Sequence, residues 1–240
     1  MTQTPIAISW SGGKDSSMML HQLMNDEQYE IVELHTAISS ETGRVSMHGV
    51  SQELIRAQAE SIGLPIHFIS IEPASTNANY EKALNQYYSN LKSQGIHHIG
   101  FGDIFLEDLK AYRDQLLHDN GLIGIYPLWK KETKDLANYF LDQNFKTLIC
   151  CAKQSLFPES ICGKTYSQAM LEAFDTQVDP CGENGEFHSY AFDGPIFNTP
   201  ISITVNETIV HTYEHKLKSG EEVKTAFEFA DLTLAKRAVV

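Results

Sequence analysis

The sequence predicts an α/β protein: a five-stranded parallel, doubly wound sheet followed by a smaller C-terminal α+β unit. Three observations predict it. Short apolar runs alternate with helical patterns through the first half of the chain, and such alternation implies right-handed crossovers and a parallel sheet covered on both faces. The first apolar run passes directly into a glycine pair, Gly12 and Gly13, and then into a helical pattern. Beyond Pro127, Leu128 and Trp129 the character changes, ending in alternation of period two at Ile201, Ile203 and Val205 and at Phe227 and Phe229.

The elements follow in order. Residues 5–10 are short and apolar before the glycine turn, as a buried strand should be. A helix starting near Lys14 carries Met18, Met19, Leu20 and Leu23 inward. Residues 30–38 form the second strand through Ile31, Val32, Leu34 and Ile38, and Ser51 caps a helix that reaches Ile62 and stops at Gly63, Leu64 and Pro65. Residues 66–71 are the third strand, and residues 80–94 a helix closed by Gly95. Residues 97–102 make the fourth strand, residues 106–117 a helix and residues 122–126 the fifth strand.

A soft boundary falls near residue 128, dividing a larger unit, 1–128, from a smaller one, 129–240. In the second unit residues 133–142 read as a helix and residues 146–151 as a strand. A stretch rich in Gly, Pro and Cys follows, and then antiparallel strands with a hairpin turn at Lys218, Ser219, Gly220 and Glu221.

Composition narrows the function classes. A chain of 240 residues, 42% hydrophobic, is long enough to bury a sizeable core. Its formal charge of -13 argues against a general affinity for nucleic-acid backbones, which comes from clustered Lys and Arg, and favours a small or proteinaceous partner. The four cysteines, Cys150, Cys151, Cys162 and Cys181, have no metal-ligand spacing, and adjacent Cys150 and Cys151 would alternate faces on a strand. They read as reduced thiols of a cytoplasmic protein. No apolar run approaches the roughly 20 residues that span a bilayer, so no membrane partner is expected; a homodimer is compatible with the sequence.

The loop after the first strand carries the chemistry. Ser9 and Trp10 end that strand, and Ser11, Gly12, Gly13, Lys14, Asp15 and Ser16 follow. The glycines let the backbone turn and approach a ligand with no Cβ in the way, and the helix N-terminus offers unpaired N–H groups. Ser11 and Ser16 add hydroxyls and Lys14 a charge. Asp15 either caps the helix or helps hold magnesium between phosphates. The spacing is neither GxxxxGK[ST] nor GxGxxG. Ligands of open α/β sheets bind outside the carboxyl ends of the strands, here Ser11, Ala37 and the pair Gly102 and Asp103. Asp103 suits a magnesium or ribose contact, or a helix cap.

The residues 11–16 string resembles the pyrophosphate-binding loop of the N-type ATP pyrophosphatases, or PP-loop superfamily. That resemblance implies an adenine nucleotide α-hydrolase-like sheet, ATP and magnesium. Paired relay cysteines and a basic surface, features of tRNA-thiolating members, are missing. The stretch Asp179, Pro180, Cys181, Gly182, Glu183, Asn184, Gly185, Glu186, Phe187, His188, Ser189, continuing through residues 193–197, resembles the signature of the diphthine-ammonia ligase family. His48, Gly49 and Val50, followed by Gln58 and Ala59, agree with it, as do Gly102, Asp103 and Ile104.

The resemblance implies an enzyme that adenylates a carboxylate, releases pyrophosphate and accepts ammonia, with Lys14, Asp15, Glu183, Glu186 and His188 catalytic. Ser9, Ser11, Gly12, Gly13, Ser16, Ala37, Gly102 and Asp103 join the ATP site; His48, Gly49, Gly182, Asn184 and Gly185 join the acceptor site. Glu183, Glu186 and His188 form a polar cluster on a glycine-rich turn that could bind a cationic substrate, hold ammonium or accept its proton. Cys181 reads as a buried apolar residue rather than a nucleophile. Residues 103–113 depart from the archaeal and eukaryotic ligases and resemble a bacterial branch. Bacteria are not expected to make diphthamide. The acceptor is therefore diphthine on elongation factor 2 or, in a bacterial protein, another metabolite or cofactor carboxylate; a nucleotide-sensing protein without turnover is the non-enzymatic alternative.

Overall fold

A computed structural model describes residues 2–45, 48–72, 76–216 and 222–235. The hairpin turn expected at residues 218–221 lies outside them.

Five strands alternate with four helices: β1 (Thr4–Ser9), α1 (Lys14–Met24), β2 (Tyr29–Ser39), α2 (Gln52–Ile62), β3 (Ile66–Ile71), α3 (Asn77–Ser93), β4 (His98–Gly100), α4 (Glu107–Asp119) and β5 (Ile123–Ile125). They form a parallel sheet of order β3-β2-β1-β4-β5. The chain moves outward through β2 and β3, then returns to the other side of β1 for β4. The strand order therefore reverses between β1 and β4, which is where open sheets bind ligands.

Local chemistry accounts for the element ends. Ser51 accepts from the Leu54 amide at 3.3 Å and caps α2, while Gly63 closes it in the left-handed conformation that glycine adopts without strain. Thr76 caps α3. The apolar stripe of α1, Met18, Met19, Leu20 and Leu23, is buried against one face of the sheet together with Leu54, Ile55 and Ile62 of α2. The opposite face is covered by α3 and α4 through Leu84, Tyr87, Tyr88, Leu91 and Leu117.

The remainder contains α5 (Thr133–Asp142), β6 (Lys146–Lys153), α6 (Gln168–Ala173), β7 (Phe187–Asp193), β8 (Ile203–Lys216) and β9 (Glu222–Leu234). Its four strands form a sheet of order β7-β6-β9-β8, with antiparallel pairing throughout. β6 is an interior strand, so Cys150 and Cys151 are both buried although they point to opposite sides. All four cysteines are free and buried. Two elements differ from the sequence reading: α6 was not expected, and the turn assigned to residues 183–188 gives way to a strand at Phe187. Phe187, Ser189, Tyr190 and Ala191 are buried and pair with β6; tertiary contact rather than a regular alternation makes this stretch a strand.

β7 joins the two sheets. The Ala191 amide donates to the Gly12 carbonyl at 2.8 Å, and the Tyr190 hydroxyl donates to the Leu54 carbonyl at 2.9 Å. One continuous core contains α1, α2 and the inner face of the second sheet, including Ile149, Phe187 and Tyr190.

Candidate nucleotide and acceptor site

The loop between β1 and α1 is shaped by close approach. Gly12 has φ +80°, and a Cβ there would lie 2.6 Å from Gln58 Oε1 and 2.7 Å from Ile55 Cδ1. A side chain at this position would meet both a backbone conformation and a space that exclude it. α1 begins without a side-chain cap, which leaves the positive end of its dipole available to an anion. The Ser11 hydroxyl donates to Ser16 Oγ at 3.2 Å and accepts from the Gly13 amide at 3.3 Å.

Gln58, fully buried in α2, braces this loop. Its Nε2 donates to the Gly12 carbonyl at 2.9 Å and to the Ala191 carbonyl at 2.6 Å, while its Oε1 accepts from Trp10 Nε1 at 2.9 Å. The loop is thus positioned from α2, β1 and β7 at once. The Lys14 amide adds a bond to Ser189 Oγ at 3.1 Å.

A cavity of about 500 Å³ opens beside the loop, at the point where the strand order reverses. Of the residues singled out from sequence, Ser9, Ser11, Lys14, Asp15, Ser16, Ala37, His48, Gly102, Asp103, Gly182, Glu183 and His188 line it. Gly12, Gly13, Gly49, Asn184, Gly185 and Glu186 are not among its walls. Gly49 instead allows the Phe229 ring close, since a Cβ there would come within 2.8 Å of it.

Lys14 is almost fully buried; its Nζ donates to Asp15 Oδ1 at 2.6 Å and to the Cys181 carbonyl. Burial alone would lower its pKa, but the charges of Asp15 and Glu183 and the nearby Cys181 hold it above the ordinary lysine value. The ammonium therefore staples the loop to residues 179–186 from below.

Glu183, Glu186 and His188 diverge rather than forming one cluster. Glu183 Oε1 accepts from the Ile104 and Phe105 amides at 2.8 and 3.3 Å, tying the second unit to the segment that follows β4. Burial, reinforced by Asp15, pushes its carboxyl up to about 7 despite these bonds and Lys14. Glu186 turns back, accepting from the Asp179 amide at 3.0 Å and from Asn184 Nδ2 at 3.1 Å. His188 lies on β7, its ring 4.6 Å from that of His48, and its Nε2 is buried without a partner. Burial and the neighbouring His48 and Lys14 keep His188 well below the ordinary imidazole value. Burial likewise lowers His48 to about 4, against the raising effect of the Ser189 carbonyl. Both rings are neutral near pH 7.

Asp103 meets Arg113 of α4, with Oδ2 3.3 Å from Nε, and caps no helix. Burial raises its pKa and Arg113 opposes the rise. Arg113 itself was not picked out from sequence. It lines the cavity with Tyr80, Leu84 and Tyr88 of α3 and Leu109 and Leu116 of α4; the sequence signal for it is an arginine set in the inward-facing apolar stripe of a helix. Ser189 and Gln58 also went unassigned, because nothing in one sequence says which hydroxyl or amide meets a loop more than 40 residues away. Cys181 is buried, its Sγ donating to the Thr133 carbonyl at 3.3 Å, and burial pushes its thiol up to about 12. That is inert behaviour.

Comparison with known proteins decides the lineage of this site. The model of the diphthamide synthase N-terminal domain matches residues 4–123, and that of the diphthamide synthase C-terminal domain matches residues 132–223. The chain belongs to the diphthamide synthase family. Relatives include the diphthine–ammonia ligase of Danio rerio, 24% identical over 223 residues that make up 84% of this chain and 87% of that protein. The Homo sapiens diphthine–ammonia ligase is 24% identical over 229 residues, 86% of this chain and 85% of the relative. The Schizosaccharomyces pombe enzyme of the same name is 22% identical over 220 residues, 36% of its length. The N-terminal match of the diphthamide synthase family contains the residues 11–16 loop and the C-terminal match contains residues 179–189, so the cavity is built where the family's two domains meet. Among the described residues no helix is long and apolar enough to cross a membrane.

Proposed function

We propose that this protein is an ATP-dependent carboxylate–ammonia ligase, forming an amide with release of AMP and pyrophosphate. The observation that carries the reading is that a phosphate-type loop and the family's C-terminal signature share one cavity, held together by Lys14, Ser189 and Gln58. Residues 1–128 would hold the nucleotide, and residues 129–240 would close over it and present the acceptor.

The cavity fits ATP in its chemistry. At one end the Ser11 and Ser16 hydroxyls and the positive end of the α1 dipole suit phosphate oxygens. Toward α3 and α4 the walls are apolar and aromatic, as a base requires. Asp15 and Asp103 are the carboxylates that would hold magnesium, which would neutralise charge on the phosphates. Both line the cavity, and magnesium at phosphates is commonly bound by one or two carboxylates and otherwise by phosphate and water.

In the proposed reaction a carboxylate oxygen of the acceptor attacks the α-phosphorus and pyrophosphate leaves; ammonia then forms the C–N bond and AMP departs with the bonding pair. The nitrogen must shed a proton in that second half. Glu183, on the cavity wall with a pKa of about 7, is suited to take it at neutral pH. His48 and His188 are neutral and offer hydrogen-bonding nitrogens without adding charge beside the phosphates. The acceptor is diphthine, the group in the relatives' name, carried here on elongation factor 2, or another carboxylate if the protein is bacterial.

The test is incubation with ATP, magnesium, ammonium and either diphthine-bearing elongation factor 2 or a panel of small carboxylates. AMP and pyrophosphate are expected with one acceptor class. ADP as product, or ATP binding with no turnover on any acceptor, would refute the ligase reading, the latter in favour of a nucleotide sensor. Asp15→Asn should remove AMP formation while the circular dichroism spectrum is unchanged.

A further inference from the structure

Buried side-chain atoms without a hydrogen-bond partner gather around the cavity. Among the described residues there are six, and four of them, His35 Nδ1, Asp103 Oδ2, Arg113 Nε and His188 Nε2, belong to residues of the cavity wall. Folded proteins leave few buried polar atoms unpaired. Such a concentration in one wall points to a ligand that completes the pairing. Asp103 and His188 have places in the chemistry already described, whereas His35 has none.

His35 lies on β2, 4% exposed, and pairs with Ser9 of β1, two residues before the phosphate-type loop. Its carbonyl accepts from the Trp10 amide at 2.8 Å, which fixes the backbone beside that loop. Its ring lies on the α3 side of the sheet, 4.7 Å from the ring of Tyr87. The Tyr87 hydroxyl donates to Glu33 Oε1 at 2.7 Å, so its proton goes to another acceptor. Burial, and then the charges of His67 and Arg113, hold the imidazole neutral with a pKa of about 3. A neutral imidazole keeps one lone pair and one N–H.

Arg113 supplies the complementary group. Its guanidinium lies over the Phe101 ring, 4.8 Å from the centroid. Its Nε is 3.3 Å from Asp103 Oδ2, yet neither atom makes a well-aligned hydrogen bond. The aromatic end of the cavity thus offers a neutral acceptor and a cationic donor within one wall.

We propose, resting on the reading of this cavity as an ATP site, that His35 is a specificity-determining residue for the base. Its Nδ1 accepts a hydrogen bond from the exocyclic amino group of adenine, and an Arg113 N–H donates to the ring nitrogen beside that group. Adenine shows a donor next to an acceptor, whereas a 6-oxopurine shows an acceptor in place of the amino group. Tyr80, Tyr88 and Tyr112 give the ring apolar and aromatic cover.

Isothermal titration of the full chain with ATP and with purine riboside 5′-triphosphate, which lacks only the amino group, tests this. The parent should bind ATP about tenfold more tightly than the analogue. His35→Phe keeps a ring in the wall but offers no acceptor; it should weaken ATP about tenfold, leave the analogue unchanged and so bind the two alike. A general loosening of the site would instead weaken both nucleotides equally. Circular dichroism checks the fold, and His35→Leu takes the place of His35→Phe if the phenyl ring does not fit. A parent that binds ATP and the analogue equally, or a folded apolar variant that keeps the preference for ATP, overturns the proposal and leaves the ATP site standing. A parent that binds neither nucleotide overturns both.

Discussion

Replacing Gln58 by leucine should loosen the nucleotide loop by removing one side chain that touches no ligand. Leucine has a similar volume and leaves no cavity, so the effect isolates the hydrogen bonds. Three are lost: to the Gly12 carbonyl, to the Ala191 carbonyl and from Trp10 Nε1. The Gly12 carbonyl keeps its bond from the Ala191 amide, but Trp10, 1% exposed, is left with a buried donor and no acceptor. Three bonds at about 1 kcal/mol each, with a further 1–2 kcal/mol or so for the orphaned indole N–H, give a loss of roughly 4 kcal/mol. For a chain of this size that corresponds to a fall in Tm of roughly 10 °C. Urea unfolding followed by tryptophan fluorescence and by circular dichroism measures it, and isothermal titration with ATP should show weaker binding because Gly12 is no longer held from two sides. A loss below about 1 kcal/mol with unchanged ATP affinity would refute the reasoning, since it would mean that the buried amide network contributes nothing net.

Gly12→Ala should abolish ATP binding and destabilise the fold, because it combines φ +80° with a Cβ 2.6 Å from Gln58 Oε1; calorimetry and thermal melts report both. Glu183→Gln should flatten the pH dependence of stability in one window. The parent carboxyl binds its proton more tightly when folded, with a pKa of about 7 against an ordinary 4.5. Its contribution therefore favours folding at low pH and is lost as pH rises through 7, so the variant should gain on the parent in urea melts between pH 4.5 and 7. The buried imidazoles act in the opposite sense. His48 and His35 are depressed to about 4 and 3, and His188 lies well below its ordinary 6.5, so stability is present above 6.5 and falls on acidification toward 4. With five lowered imidazoles, these three and His21 and His98, against three raised carboxyls, Glu183, Asp15 and Asp103, the parent protein should lose urea midpoint as pH drops from 6.5 to 4.5. Cys181→Ser should retain most AMP-forming activity, because a thiol with a pKa of about 12 is no nucleophile at neutral pH; loss of activity in a variant that still binds ATP would contradict this.

Most of the first sheet was legible because its signals are local. The Ser51 cap, the Gly63 stop and residues 66–71 stand where the sequence predicts them, and each follows from chemistry within a few residues. The loop from Ser11 to Ser16 was legible for the same reason: two glycines between a strand and a helix leave few other conformations. Residues 183–188 were legible as a signature but not as geometry. Their glycines announced a turn, whereas the pairing of Phe187 and His188 with β6 comes from a strand more than 30 residues earlier.

By itself the sequence determined the alternating parallel sheet, the position of the phosphate-type loop at a strand end, and the family. Only the tertiary structure decided which polar groups face one another. It turned Lys14 inward onto Cys181 and Asp15, sent Glu183 across to the segment after β4 and Glu186 back to Asp179, and set the His188 ring tilted against that of His48. It also brought Arg113 to the cavity. The physical reason is one of range. Propensity, capping and glycine conformation act over a few residues, while desolvation and hydrogen-bond choice depend on neighbours that only the folded chain brings together.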